Sequence, residues 1–317
     1  MSRKDEYRKV CEIESTIPIF SQSWWLDATA GNFWDVVLVE KGGEIQASLP
    51  YTLRKKYDFT LLAQPQLTQS LGPWLKANNS KYAKRLGREK DLMQALIEQL
   101  PQYDKFSQNW SPVITNWLPF HWKGFNQTTR YTYRIESLTN LDMIWHSFQE
   151  NIRREIRKAS QREGLIVTSD VSIDDFITLN EKVFLRQGKE LPYKGTLVRR
   201  IDQAAYQKNS RRMFAAIDSQ GRYHAAVYIV WDNHSAYYLM GGSDPELRNS
   251  GATSLCMWEA VKFASTVTQS FDFEGSMIEP VERFFRAFGA VQTPYHYISH
   301  TPSKLLRTLN FFRSIKS

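Results

Sequence analysis

Cysteine is nearly absent: Cys11 and Cys256 are the only two in 317 residues. Two thiols so far apart make neither a disulfide framework nor a metal cluster, and they fit a reduced, cytoplasmic setting. Histidine is also sparse. His121, His146, His224, His234, His296 and His300 are scattered, with no Ser-His-Asp order and no zinc-ligand spacing, so no metal site is expected. His296, in the last strand, reads as structural or as able to reach a site. No apolar run approaches the roughly 20 residues that cross a bilayer, so no transmembrane segment is expected. The first residues, "MSRKDEYRKVCEIES", carry charge but no apolar core and do not read as a signal peptide. No helix-turn-helix or RNA-binding signature supports a nucleic-acid regulator, and DNA is not an expected partner.

What the chain does have is apolar and aromatic weight, 42% and 14% of residues, enough for substantial buried cores. Its length favours two domains over one. The net charge of +8, with a pI near 9.3, suits an anionic partner: a nucleotide, a tRNA, coenzyme A or a membrane surface. The oligomeric state is not legible.

Alternation marks "FWDVVLVE" and "IQASLPYTLRKK" as strands, and Lys41-Gly42-Gly43 supplies a hairpin turn between them. "FTLLAQP" is a further strand, "LTQSLGPWL" a loop, and "KDLMQALIEQL" a helix with Leu92, Leu96 and Ile97 on one side. From Phe106 to Tyr133 the chain is rich in aromatics: Trp110, Trp117, Phe120, Trp122 and Phe125. These either form core or stack against a ligand. "RYTYRIE" closes the segment as a strand. Asn140 then caps a helix carrying Leu141, Ile144, Trp145 and Phe148, which continues into "NIRREIRKASQRE". From residue 165 onward the elements run β-α-α-β-β-β-α-β-α-β. That order excludes a doubly wound nucleotide fold, which needs βα alternation throughout, and gives an α/β class with a mixed sheet.

These stretches resemble a known family. "NIRREIRKA", "FLRQGKELPY", "GGSDPELRNSGATSLCMWEAVKFA" and "FDFEGSMIEPVERFFRAFGA" are similar to FemABX-type proteins and to the BioF-like or FemAB-like GNAT acyltransferases. "FSQSWWLDA", "SLPYTLRKK" and "QPQLTQSLGPW" are similar to the first half of the same proteins, so the resemblance spans nearly the whole chain. It implies two tandem GNAT-like domains, divided here as 1–136 and 137–317, with a substrate groove between them. It also implies transfer of an acyl or aminoacyl group to an amine of a small molecule or peptide. No permanently bound cofactor is implied; acyl-coenzyme A is the expected co-substrate, with aminoacyl-tRNA as the alternative donor. A non-catalytic module binding an anionic or peptidic ligand is the competing reading.

Acyl transfer to an amine needs a cradle for the donor phosphates, a donor to the oxyanion and a route for the amine proton. The cradle candidate is "LRNSGATS", where Arg248, Gly251, Ala252 and Thr253 precede or open a helix whose free N–H groups favour an anion. The GNAT pattern [Q/R]-x-x-G-x-[G/A] departs here at its sixth position, Thr253. On "NIRREIRKA", five basic residues against two acids between Asn151 and Glu163 give either a solvated face or a substrate face, with Arg154 and Arg157 one turn apart. In "FLRQGKELPY", Arg186, Gln187 and Lys189 are candidates for an acceptor carboxylate, and Gln69 and Trp74 are candidate substrate contacts in the first domain. The catalytic candidates are Glu274 and Ser276. Asp272 and Glu274 share one face of a strand whose other face holds Phe271 and Phe273. A carboxylate desolvated there would have a raised proton affinity and take the amine proton, hold the acceptor amine, or pair with Arg283 or Arg286. The basic tail, with Leu305, Leu309 and Phe312 opposed by Lys304, Arg307 and Arg313, reads as an amphipathic helix for its own domain or for a membrane surface.

Overall fold

The computed structural model describes residues 2–275 and 277–308. The chain forms two compact units, one of residues up to 130 together with those from 294 onward, the other of residues 131–293. The sequence division at 136/137 therefore differs from this one in a specific way: the last strand belongs with the N-terminal half.

The first unit begins with helices α1 (Arg3–Ile13) and α2 (Ser23–Ala30), α1 being opened by a reciprocal Ser2–Asp5 capping box. Strands β1 (Trp34–Lys41) and β2 (Glu44–Lys56) form the expected hairpin, turned by Gly42 and Gly43. After β3 (Phe59–Ala63) and the short β4 (Trp74–Leu75) come α3 (Tyr82–Glu98), β5 (Lys105–Asn109) and α4 (Leu118–His121). The chain leaves this unit inside β6 (Asn126–Ile135) and returns inside the last strand, Val291–His300. Of the aromatic segment, Trp110, Phe120 and Phe125 pack with Phe106 and with Leu92 and Leu96 of α3, so these rings are core. Trp122 is exposed.

In the second unit, α5 (Leu141–Ser147) and α6 (Glu150–Arg157) are two helices where the periodicity predicts one. The break has a tertiary cause: Gln149 donates its N–H to the Ala287 carbonyl, so Phe148 and Gln149 stay extended. α6 runs on into a wider π-helical turn, Lys158–Arg162. Then follow β7 (Ile166–Thr168), α7 (Ile173–Leu185), α8 (Gly195–Gln207), β8 (Arg211–Ile217), β9 (Tyr223–Trp231) and β10 (Ser235–Ser243). Helix α9 (Ala252–Ala264), β11 (Ser270–Asp272), α10 (Glu279–Arg286) and β12 (Val291–His300) complete the expected order. The sheet of this unit runs β6-β11-β10-β9-β8-β7. Helix α9 is apolar on most sides and buries Leu255, Cys256, Ala260 and Val261 against Phe214, Val227 and Ile229. From α10 and its end, Phe285 and Phe288 pack on Phe273, holding the end of β11 in place. Full burial of each such ring contributes about 2 kcal/mol. In the tail, residues 304–308 are helical, while Leu309, Phe312 and Arg313 lie outside the described residues.

Candidate active site

The second unit's sheet opens between two neighbouring strands. β10 and β11 are parallel and pair over three positions only, Ser235↔Ser270, Ala236↔Phe271 and Tyr237↔Asp272. Beyond them β10 continues to Ser243, bound on its other side to β9, with a register shift between Tyr238 and Met240. β11 stops at Asp272 and the chain turns away. A strand pair that parts in mid-sheet leaves a wedge flanked by backbone and by the side chains at the parting point.

Asp272 and Glu274 stand at that point. The Asp272 carboxylate is buried, and its Oδ1 accepts from the Thr132 hydroxyl of β6 and from the Glu274 backbone N–H at 2.8 Å. Its Oδ2 lies 3.6 Å from Nε of Arg134, which also donates to Ser270 Oγ at 3.1 Å. Burial pushes the Asp272 carboxyl up to about 6, although Thr132, the Glu274 N–H and Arg134 all pull the other way. Glu274 is half-buried, and burial pushes its carboxyl well above the usual carboxylate range, with the Asp272 charge adding to the shift. Its backbone is left-handed, at φ +59°. That conformation is uncommon for a residue with a Cβ and marks stored strain. Gly275 follows with its Cα against the Tyr131 carbonyl and Thr132 Cα, where no side chain would fit. On β10, the Tyr237 hydroxyl is raised by burial and then by the charges of Asp232, Asp272 and Glu274. Both oxygens of Asp272 are thus engaged, while the Glu274 carboxylate has no hydrogen-bond partner among the described residues. Of the two acids, Glu274 has the spare capacity for a ligand. Ser276 lies outside the described residues.

The loop before α9 is built differently from a bare anion cradle. Arg248–Ser250 form a 3₁₀ turn, and Gly251, at φ +78°, caps α9 without a side-chain hydrogen bond. Against Gly251 sits the backbone carbonyl of Glu155 from α6, and the Glu155 carboxylate comes within 3.2 Å of where a Gly251 Cβ would stand. Lys158 donates to the Asn249 carbonyl and lies 3.7 Å from the Glu155 carboxylate. The loop is latched onto α6 by an acid and a base. A carbonyl and a carboxylate on the Gly251 side oppose a pyrophosphate there. Ala252 is buried, Thr253 half-buried and Arg248 exposed.

The other expected contacts separate. Arg157 pairs with Glu150 at 3.2 Å and lies over the Trp145 ring, whereas Arg154 is exposed and free of ion pairs among the described residues. Arg186, Gln187 and Lys189 are exposed after α7, and Gln187 donates to the Val183 carbonyl. Tyr193, farther along that loop, donates to Asn180 Oδ1 at 2.9 Å, and Asn180 donates in turn to the Gly241 carbonyl of β10 at 2.6 Å. In the first unit the backbone carbonyl of Gln69 accepts from Gln64 and Asn109. Trp74 is buried there and donates to Thr16 Oγ1 at 3.0 Å. Sequence reasoning passed over Thr132, Arg134 and Glu155. The alternation of "RYTYRIE" put Thr132 and Arg134 on one face, but nothing in it named their partner.

Residues 146–277 match the family model described as the acetyltransferase (GNAT) domain. The matched stretch lies within the second unit, which is thus similar to a GNAT acetyltransferase domain. FemX is similar in fold to this chain, with a TM-score of 0.69 at 13% identity over 93% of this chain and 96% of FemX. So is the C-terminal domain of an Agrobacterium fabrum protein described, without proof of activity, as a lysylphosphatidylglycerol synthetase, at TM-score 0.57 and 10% identity, covering 99% of this chain and 96% of that one. A tandem GNAT protein from the clavulanic acid biosynthesis pathway reaches 0.50 at 10% identity, covering 95% and 94%. No curated protein matches the sequence. The fold is therefore FemX-like, a tandem arrangement of GNAT type. Among the described residues no helix is long and apolar enough to cross a membrane, and no cluster of metal-ligating side chains occurs.

Proposed function

We propose that the chain is an N-acyltransferase that moves an aminoacyl or acyl group onto an amine, with Glu274 taking the amine proton. The observation that carries this reading is a carboxylate without a hydrogen-bond partner among the described residues, of raised proton affinity, at the parting of β10 and β11 in the stretch that matches the GNAT domain. The amine nitrogen attacks the acyl carbon and forms the new C–N bond. Its proton passes to the Glu274 carboxylate, and the bond from the acyl carbon to the donor oxygen or sulfur breaks. The leaving oxygen or sulfur takes that proton from Glu274 and departs as a hydroxyl or thiol, so atoms and charge balance and Glu274 returns to its carboxylate. The Glu155 carboxylate beside Gly251 and the exposed Arg154, free of ion pairs among the described residues, favour an aminoacyl-tRNA over coenzyme A as donor. The latter remains the second reading because a GNAT loop and helix are present.

The test has two arms. Calorimetry with acetyl-coenzyme A and filter binding with aminoacylated and uncharged tRNA, each at rising salt, separate the donors; tRNA binding should weaken steeply with salt. Turnover of the donor that binds is then compared in the native chain and Glu274→Gln, with an expected loss of about 100-fold or more and retained donor binding. Full turnover in Glu274→Gln overturns the base assignment. Absence of turnover with every donor that binds favours the binding-module reading.

A further inference from the structure

Glu274 is held by an arrangement that its own role does not require. The residue sits in a left-handed turn, and three contacts keep it there. Phe273 donates its N–H to the Tyr133 carbonyl of β6 at 2.9 Å. Glu274 donates its N–H to Asp272 Oδ1 at 2.8 Å, and Gly275 lies flat against Tyr131 and Thr132. The Asp272 carboxylate is in turn fixed from β6 by the Thr132 hydroxyl on one oxygen and Arg134 on the other. A structural acid at this place would be expected to carry a close bidentate arginine; instead Arg134 stands off at 3.6 Å and shares itself with Glu136 and Ser270. The result is a buried carboxylate only partly neutralised, two residues from a second one.

We propose that Asp272 is a positioning residue for Glu274: anchored by Thr132 and Arg134, it fixes the left-handed turn and keeps a negative charge beside the Glu274 carboxyl. This rests on the reading of Glu274 as the proton acceptor. The charged and titratable groups that bear on Glu274 are Asp272 at the end of β11 and Tyr237 on β10; Asp272 is in turn faced by Arg134 on β6 and Glu136 just after it, and Tyr237 by Asp232 in the turn before β10. Only Arg134 among them is positive. A negative neighbour makes Glu274 a stronger base than desolvation alone, because the second charge resists the first. The two acids titrate as a pair, so each variant has to be read on both signals.

The experiment uses the full chain labelled with carbon-13 in the Asp and Glu side-chain carboxyls, titrated by NMR. The Glu274 signal is the one lost in Glu274→Gln, and the Asp272 signal the one lost in Asp272→Asn. Asparagine keeps an acceptor oxygen for Thr132 and for the Glu274 N–H, removes the charge and turns its amide nitrogen toward Arg134. In Asp272→Asn the Glu274 midpoint should fall by about one pH unit or more, a tenfold loss of proton affinity. In Thr132→Val the Asp272 midpoint should rise, since a hydrogen bond to its charged form is gone. An unmoved Glu274 midpoint in a folded Asp272→Asn variant overturns the proposal. If that variant does not fold, an unmoved Asp272 midpoint in Thr132→Val overturns it. Failure of the parent reading looks different: Glu274→Gln would keep full turnover while the titrations still shifted.

Discussion

In the proposed reaction Glu274 and Asp272 divide their work by environment, as two like groups with different surroundings do. A base has to be ionised before it can accept a proton. Raising the pH frees Glu274, so kcat/KM should climb with pH along a limb set above the usual carboxylate range, and Glu274→Gln should lose that limb; a pH-rate profile reads both. Asp272 carries a stability cost of the opposite visibility. Its folded value of about 6 exceeds the ordinary 3.8, so its stabilising share is complete below the lower value and is lost as pH rises through the upper one. Thermal melts of Asp272→Asn against the native chain should therefore show a gap in favour of the variant that widens between about pH 4 and pH 6. A gap that narrows over that range would contradict a raised Asp272. Both acids could be picked out from "FDFEGS" because strand alternation groups them opposite two phenylalanines, although the strand ends at Asp272 and Glu274 stands in the left-handed turn after it. Their division of labour could not, since it depends on Thr132 and Arg134, some 140 residues earlier in the chain.

At the scale of elements, the latch between α6 and the α9 loop is the feature most open to test. An alanine at Gly251 would need a left-handed backbone and would drive its Cβ into the Glu155 carbonyl. Gly251→Ala should cost about 1–3 kcal/mol, seen as a lower Tm with donor binding weakened. The existence and order of nearly all elements of the second unit followed from periodicity, because helices such as α7 and α8 bury one clear face and β8, β9 and β10 are long strands. The α5–α6 break did not. Leu141, Ile144, Phe148 and Ile152 keep helical spacing across it, and only the Ala287 carbonyl, far along the chain, draws Gln149 out of the helix. The α9 loop was recognisable as a helix start, yet its occupancy by Glu155 was not, for the same reason: local pattern carries no record of a distant helix.

For the whole molecule, the division into units is discontinuous in sequence. β5 lies between β3, its parallel neighbour, and β12, its antiparallel one. Trp110 donates its N–H to the His296 carbonyl at 2.8 Å, and Tyr103 meets His300 at 2.8 Å. A fragment ending at residue 136 would keep the helices and the hairpin of the first unit but expose β5 as an unpaired edge. It should melt without a cooperative transition or aggregate, and adding a peptide of residues 291–308 should restore a transition; a cooperative melt of the fragment alone would argue against this dependence. The boundary at 136/137 was drawn where the aromatic segment gives way to a capped helix, and no sequence signal linked "YHYIS" to a strand almost 200 residues upstream. The discontinuity also orders events on the ribosome. Residues 131–293 emerge as one uninterrupted stretch and can close while synthesis continues, whereas the N-terminal half, translated first, has to wait for the final strand. Through that interval the core around Phe106, Trp110 and Phe120 lacks Ile298, which puts this half more in need of chaperone protection than residues 131–293.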